Sequence, residues 1–395
     1  MGYLDQVRRA RAAHRGPDRR AEDGWRGRGF GRRGGGGLSL LTNPAATRST
    51  EGARIFGAAT DGSTAFLDWP GVNVLRIENR GDGLGQMALV EGSRTSFILR
   101  SNDFANAAWT AVGLTPTSNT NNAPDGTASA ATLAFTASAT AQISQPLTSI
   151  PADNAVYTYT VWLRAAAAQS LRIFMRQKDG VTEGAAVVCT ITTVWQRFVL
   201  TQSVGAGASA PLMIFRNDAD AAARNVFIWH AQPELGAFPS STIRTTAAAV
   251  TRGADMDVYA VGAYPDALRT KGFVMQIAPD FSSADAQSVY VLSPSIGGDP
   301  GQHALFITTV APQLYSGGLL KATRNVSWSR GQLMTITADL PTGTMTVAGA
   351  TTNNGTTVGT ACAWPAEPLG IGITPGLSSA SPFFGRYGLT MTVSP

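Results

Sequence analysis

The stretch VYTYTVWLRA, residues 156–165, alternates regularly between two kinds of side chain. Alternate residues of an extended chain point to the same face. One face therefore carries four aromatic or aliphatic side chains: Tyr157, Tyr159, Val161 and Leu163. The opposite face is mixed and ends in Trp162. This pattern predicts a β-strand in a sandwich, with one face in the core.

Similar runs recur along the chain, separated by clusters of Gly, Asn, Asp, Pro and Ser. The clearest are LRIFMRQ (171–177), PLMIFRND (211–218), NVFIWHAQ (225–232), GFVMQIAP (272–279) and QLMTITADL (332–340). A helical period is almost confined to the first fifteen residues. Many short strands at this spacing predict an all-β protein of tandem β-sandwiches. No internal repeat has a fixed period, which disfavours a propeller or a solenoid.

The charge is distributed unevenly over the 395 residues. Ten of the 31 basic and four of the 26 acidic residues lie in residues 1–33, which therefore carry a net charge of +6. The remainder carries −1, and only 14% of the whole chain is charged. We interpret residues 1–44 as an extended basic arm that folds only against a partner, because such a segment has little to bury. No apolar run is long enough for a membrane span, and no secretory signal is recognisable.

Two changes in composition divide the rest of the chain. A new unit begins near SRTSFILRSNDFANAAW (93–109), and a connector rich in Pro, Ser and Thr follows residue 234. We therefore predict four parts: the arm (1–44), a connecting shoulder (45–98), a first sandwich (99–245) and a second sandwich (246–395). The shoulder is too short for a sandwich of its own. We expect it to pack with the second sandwich or to join the arm to the body.

The ends of the first sandwich resemble a known module. GLGQMALVEGSRTSFILRSNDFANAAW (83–109) and NVFIWHAQPELGAFPSSTIRTTAAAVTRGADM (225–256) are similar, in this order and separation, to the two ends of a module of tailed-phage and prophage virion proteins. The resemblance covers about residues 84–256. It implies a carbohydrate-binding-like jelly roll, followed by a concanavalin- or laminin-G-like sandwich. The second sandwich matches only by its strand pattern.

A search for catalytic motifs finds none. His14, His230 and His303 are scattered and lack metal-ligand spacing, and no G-x-S-x-G or phosphate-binding loop occurs. Two acidic pairs, Asp218 with Asp220 and Asp255 with Asp257, are the nearest approach to the carboxylates of a glycosidase. We interpret both pairs as ordinary acids of turns and strand ends. The sequence predicts no catalytic residue, no cofactor and no metal, and two free thiols at Cys189 and Cys362.

Sugar binding requires an exposed aromatic ring and a few polar groups. Trp162, Trp195 and Trp229 lie in apolar strands, so we expect them in the core. Trp109 precedes the Asn-rich segment TSNTNN (117–122), and Trp364 lies in CAWPAEP (362–368). We expect these two tryptophans at the surface and name them as candidate glycan-binding residues.

The resemblance and the arm together suggest a non-enzymatic virion protein, located in a phage or gene-transfer-agent particle. The arm would attach it to capsid, portal or tail subunits, and the sandwiches would bind host-surface glycans as a head fibre, spike or tail fibre. The predicted anchoring residues are Tyr3, Arg8, Arg9, Arg11, Arg19, Arg20, Trp25, Arg26, Arg28, Phe30, Arg32 and Arg33. We expect a homo-oligomer and no nucleic-acid partner. The alternatives are a capsid decoration protein without sugar binding and a polysaccharide depolymerase.

Overall fold

The computed structural model describes residues 38–39, 45–47, 54–55, 67–68, 76–79, 86–259, 264–285, 287–294, 303–308, 310–366, 369–371, 385–388 and 390–393. The arm therefore lies outside the described residues, apart from Leu38–Ser39. Before residue 100 the strands are β1 (Leu38–Ser39), β2 (Ala45–Thr47), β3 (Arg54–Ile55), β4 (Leu67–Asp68), β5 (Arg76–Asn79), β6 (Gln86–Val90) and β7 (Arg94–Ser96).

The next strands in chain order are β8 (Thr110–Val112), β9 (Leu114–Asn121), β10 (Ala130–Phe135), β11 (Gln142–Pro146), β12 (Val156–Arg164), β13 (Gln169–Arg176), β14 (Val187–Ile191), β15 (Gln196–Ser203), β16 (Leu212–Asn217) and β17 (Arg224–Leu235). They form two antiparallel five-stranded sheets, which we call the jelly roll. One sheet has the order β15-β12-β17-β10-β9 and the other β14-β13-β16-β11-β8.

The last strands are β18 (Val250–Arg252), β19 (Met256–Tyr259), β20 (Gly272–Pro279), β21 (Val289–Ser293), β22 (His303–Ile307), β23 (Pro312–Ser316), β24 (Leu319–Thr323), β25 (Met334–Asp339), β26 (Thr344–Ala348), β27 (Gly355–Val358), β28 (Leu369–Ile371), β29 (Gly385–Gly388) and β30 (Thr390–Val393). A short helix, α1 (Asp266–Thr270), precedes β20, and a 3-10 turn spans Ser283–Asp285. The fold is all-β, with tandem β-sandwiches, as predicted.

Strand β12 forms as the alternation predicts. Tyr157, Tyr159, Val161 and Leu163 lie in the jelly-roll core, and Trp162 lies on the opposite face. A bulge in β17 at His230, with a φ of 53°, shifts the register against β12 between Thr160 and Trp162. Burying a large apolar side chain stabilises a fold by about 1.5–3 kcal/mol, so this inward face contributes much of the jelly roll's stability.

The second sandwich contains strands from both sides of the jelly roll, and we call it the C-terminal sandwich. Its larger sheet has the order β27-β26-β25-β20-β29-β6-β5, with β30 joining β20 to β1. The other sheet has the order β2-β19-β28-β21-β22-β23-β24. Strand β7 pairs with β18 at the point where the chain leaves the C-terminal sandwich for the jelly roll and later returns to it. The jelly roll is thus inserted between two sequence segments of the C-terminal sandwich.

A buried cluster of charged side chains lies where the jelly roll meets this sandwich, and we call it the ionic joint. Its members are Arg76, Glu91, Ser241, Arg252 and Asp255. Arg76 Nη2 lies 2.8 Å from Glu91 Oε2 and also pairs with Asp255, while Arg252 Nη1 binds Glu91. Ser241 donates to Glu91 from its amide at 2.7 Å and from its hydroxyl at 2.6 Å. Each charge therefore has a buried partner, as a stable interior requires.

The joint uses residues of both segments that carry the family resemblance. Glu91 lies in the first segment, and Ser241, Arg252 and Asp255 lie in the second. Beside the joint, Glu234 is fully buried and accepts hydrogen bonds from the Ser240 amide and hydroxyl at 2.7 and 2.6 Å. Residues of both segments thus hold the structure together rather than facing solvent.

Candidate functional site

The structure corrects the surface assignment of Trp109 and Trp364. Trp109 is only 5% exposed, because its ring packs on Phe104 and Phe215 and its Nε1 donates to the Arg100 carbonyl at 3.1 Å. Trp364 is 2% exposed, packs on Phe273 and donates to the Tyr315 carbonyl at 3.1 Å. The expectation that these rings lie at the surface was wrong. Neither ring is available to stack on a sugar.

The three tryptophans expected in the core are buried. Trp162, Trp195 and Trp229 form a cluster of their own on the outer face of the β15-β12-β17-β10-β9 sheet. The segment before β10 covers them, because Trp195 Nε1 donates to the Asn122 carbonyl at 3.0 Å and Trp229 Nε1 to Ser129 Oγ at 2.9 Å. This face is therefore closed by the protein itself.

The outer face of the other jelly-roll sheet carries a row of side chains in register across all five strands. Val188 pairs with Arg172, Arg172 with Arg216, Arg216 with Gln142, and Gln142 with Val112. We call these five residues the arginine row. Paired residues of neighbouring strands share a face, so their side chains form one continuous surface strip. The two valines at its ends are each 55% exposed.

Arg216 is the centre of the row. Its guanidinium binds Glu183 through two parallel contacts, Nη1 to Oε2 at 2.7 Å and Nη2 to Oε1 at 2.5 Å. It also donates to Gln142 Oε1 at 2.8 and 2.6 Å and lies over the Phe174 ring, 4.6 Å from its centroid. Arg176 approaches the same carboxylate at 3.4 Å. The hydrogen bonds from Arg216 hold the pKa of Glu183 below its usual range.

Arg172 is fixed beside Arg216 by backbone carbonyls. Its Nη2 donates to the carbonyls of Asn217 and Ala139, at 2.9 and 3.0 Å. Asp218 lies 3.9 Å from its Nε, and a hydrogen bond from Ser170 lowers the pKa of that carboxyl. Asp218 is thus an ionised neighbour of the row, not a carboxyl with a raised pKa of the kind a glycosidase acid needs.

Two donors of the row have no partner within the described part of the chain: Arg172 Nη1 and the amide nitrogen of Gln142. Partly exposed guanidinium and amide donors, bounded by exposed apolar side chains, are groups that fix a sugar's hydroxyls and carboxylates and cover its C–H faces. The arginine row is therefore our candidate functional site.

The hairpin that carries Glu183 is anchored at its base. Lys178 is buried and donates to Asp153 Oδ1 and to the Pro151 carbonyl, each at 2.6 Å. The Asp179 carboxylate accepts from the amides of Val181 and Thr182 at 2.9 and 2.8 Å, which closes the turn. The backbone thus holds Glu183 over the row, while its side chain stays 35% exposed.

The C-terminal sandwich presents a second group of partly exposed side chains. Tyr290, Phe306 and Tyr315 form an aromatic ladder on neighbouring strands, with ring centroids 4.7 and 6.5 Å apart. Tyr315 Oη donates to Gln313 at 3.0 Å. Cross-strand aromatic contacts of this kind stabilise a sheet, and we assign the ladder that role.

The other residues considered as candidates in the sequence analysis have structural surroundings. Asp255 belongs to the ionic joint. His230 is buried, and burial, together with the charges of Arg197 and Arg244, holds its pKa well below the usual value. No group of three potential metal ligands occurs among the described residues. Cys189 and Cys362 are both free, one buried and one half-buried. The described helices include none long and apolar enough to cross a membrane.

The predicted anchoring residues, from Tyr3 to Arg33, lie outside the described residues. The sequence interpretation missed the arginine row. The only signal for it was the alternation of Arg172, Phe174 and Arg176 within LRIFMRQ, together with Arg216 in PLMIFRND. Nothing in these runs indicates that the two strands are neighbours.

Comparison with known proteins identifies no family for this chain. No family model matches it, and no curated protein matches it. Among solved structures, the N-terminal CBM22-1–CBM22-2 tandem domain of Paenibacillus barcinonensis Xyn10C aligns over 78% of this chain and 100% of its own, at 13% identity and a TM-score of 0.30.

Two further structures are similar to parts of the chain. The enzymatically active domain of bacteriophage CBA120 tailspike protein 4 aligns over 35% of this chain and 21% of its own, at 14% identity and a TM-score of 0.29. Domains LG4-5 of the mouse laminin α1 chain align over 66% and 88%, at 11% identity and a TM-score of 0.24. Similarities this weak carry no argument about function.

Proposed function

We propose that this chain is a non-enzymatic component of a tailed-phage or gene-transfer-agent particle that binds host-surface glycans through the arginine row. The arginine row carries the glycan-binding part of this proposal. It is a strip of side chains in register across five strands, with polar donors on the three middle strands and exposed valines at both ends. The resemblance of residues 84–256 to a module of virion proteins supports the location in a particle.

Weak single sites suffice for such a role. Glycan sites of this shallow kind gain strength when many copies engage one surface, because later contacts form at a high effective concentration. A particle carrying the protein as a head fibre, spike or tail fibre provides such copies. The basic arm, residues 1–44, would bind acidic surfaces of capsid, portal or tail subunits.

The binding test uses the full chain in affinity electrophoresis through gels that contain host-surface polysaccharides. We expect retardation, and we expect the double variant Arg172→Ala/Arg216→Ala to bind at least about tenfold more weakly, the equivalent of about 1.4 kcal/mol. Arg244→Ala is the matched control, because Arg244 is an exposed arginine outside the row. Thermal melting of each variant checks that the fold is intact.

Three results would change the proposal. Full retention of binding in the double variant would remove the row as the site. An absence of binding to any host polysaccharide, together with normal incorporation into particles, would favour a decoration protein without sugar binding. Release of reducing ends from a polysaccharide would favour a depolymerase. Loss of incorporation after deletion of residues 1–44 is the expected result for the arm.

A further inference from the structure

Glu183 occupies the most favourable anion position of the arginine row. A guanidinium and a carboxylate form two parallel hydrogen bonds when their planes match, and Arg216 and Glu183 meet in this way, at 2.7 and 2.5 Å. Arg176 adds a third contact at 3.4 Å. The position fits a planar group with two oxygens, whether that group comes from the protein or from a ligand.

The charges around this position favour an anion. Arg176 and Arg216 contact Glu183, and Arg172 lies next to Arg216. Among the described acidic residues, only Glu183 and Asp218 lie within ion-pair distance of these three arginines. Ser170 and Arg172 hold Asp218 to one side. If the Glu183 side chain leaves, Arg176 and Arg216 lose the carboxylate that they share, and Asp218 remains beside Arg172.

Glu183 can leave without a change in the backbone. The contacts of Lys178 and Asp179 hold the hairpin, and none of them involves the Glu183 carboxylate. The side chain is 35% exposed, so rotation about its own bonds moves the carboxylate into water. Water can solvate both charges of a partly exposed ion pair as it opens, and an incoming carboxylate restores the contacts with Arg216.

We propose that the arginine row takes a carboxylated sugar, a uronic acid unit of an acidic polysaccharide, and that Glu183 holds the carboxylate position in the free protein. This inference rests on the proposed glycan-binding function and names its ligand class. The ligand carboxylate replaces Glu183 on Arg216, the Arg172 and Gln142 donors bind neighbouring hydroxyls, and the exposed valines contact the C–H faces of the chain.

A neutral sugar predicts the opposite role for Glu183. With no carboxylate of its own, such a ligand would leave Glu183 in place as an acceptor for its hydroxyl groups. Removing the charge of Glu183 therefore strengthens binding of an acidic glycan but weakens binding of a neutral one. The sign of the change in affinity therefore distinguishes an acidic-glycan site from a neutral-glycan site.

The experiment measures binding of the full chain to polygalacturonate, to neutral dextran and to dextran sulfate by affinity electrophoresis at several salt concentrations. We expect Glu183→Gln to bind polygalacturonate at least about threefold more tightly than the wild type, because the competing charge is gone. Arg216→Lys keeps a charge but loses the paired hydrogen bonds, so it should bind at least about tenfold more weakly. Arg244→Ala should bind as the wild type does.

Each other outcome overturns the inference. Weaker binding of Glu183→Gln, or dextran bound as well as polygalacturonate, would show a neutral-glycan site and leave the proposed function standing. Equal strengthening toward dextran sulfate would show general polyanion binding without carboxylate recognition. No binding of wild type or variant to any of the three polymers would overturn this inference. The proposed function fails separately, if host polysaccharides are not bound either.

Discussion

The ionic joint and the arginine row use the same chemistry in opposite surroundings. Both pair arginines with a glutamate, yet Glu91 in the joint is 2% exposed, whereas the Glu183 side chain in the row is 35% exposed. In the joint, separation of the partners would leave a buried charge uncompensated, so opening of these pairs is strongly unfavourable. In the row water can replace either partner, so the pair can open. Burial, not residue type, separates the ionic joint from the proposed binding surface.

The sharpest way to break this comparison is to remove one glutamate from each cluster. Glu91→Ala leaves Arg76 and Arg252 buried without their shared carboxylate, and we expect it to lower the free energy of unfolding by about 3–5 kcal/mol. Glu183→Ala, the matched control, should cost no more than about 1 kcal/mol. Urea unfolding of both variants measures the difference. Equal losses would show that the two clusters are equivalent.

The second prediction concerns the pH dependence of the stability contributed by Glu91. Burial alone would raise the pKa of Glu91, but the charges of Arg252 and Arg76 and the hydrogen bonds of Ser241 hold it well below the ordinary 4.5. A lowered pKa means that ionised Glu91 stabilises the fold above pH 4.5 and that this contribution is lost as the pH falls further. The stability difference between wild type and Glu91→Gln should therefore shrink between pH 5 and pH 3. A constant difference would contradict this assignment.

A smaller effect of opposite sign is expected beside the joint. Burial raises the pKa of Glu234, although Arg94 and Ser240 oppose the shift. The stability contribution of such a group is complete below pH 4.5 and is lost as the pH rises through the raised value. Relative to the wild type, Glu234→Gln should therefore gain stability as the pH rises from 4 to 7. A trend parallel to that of Glu91→Gln would show that position in the joint alone decides the sign.

The sequence predicts the fold far better than the site. Alternation within VYTYTVWLRA assigns Tyr157, Tyr159, Val161 and Leu163 to the core, because the two-residue period is a local property. The arginine row depends on which strands are neighbours, and Gln142, Arg172 and Arg216 are brought together by pairing across 74 positions. The sequence of a single strand does not indicate which distant strand will pair with it.

The tryptophan assignments failed for a related reason. Polar neighbours in sequence suggested exposure of Trp109 and Trp364, but an indole can be buried whenever its N–H finds a carbonyl. The Trp109 N–H donates to the Arg100 carbonyl, nine positions away, and the Trp364 N–H donates to the Tyr315 carbonyl, 49 positions away. No sequence pattern identifies either carbonyl as the acceptor. Burial of an aromatic ring is decided by what packs on it, not by the residues before and after it.

The insertion of the jelly roll implies an order of assembly during synthesis. All strands of the two jelly-roll sheets lie between residues 110 and 235. The jelly roll can therefore fold as soon as this stretch has left the ribosome. Strand β6 must instead wait for β29, since Val90 pairs with Gly385, about 300 positions later, at a correspondingly higher cost of loop closure. A folded jelly roll would lower this loop-closure cost, because it holds the preceding and following segments of the C-terminal sandwich close together.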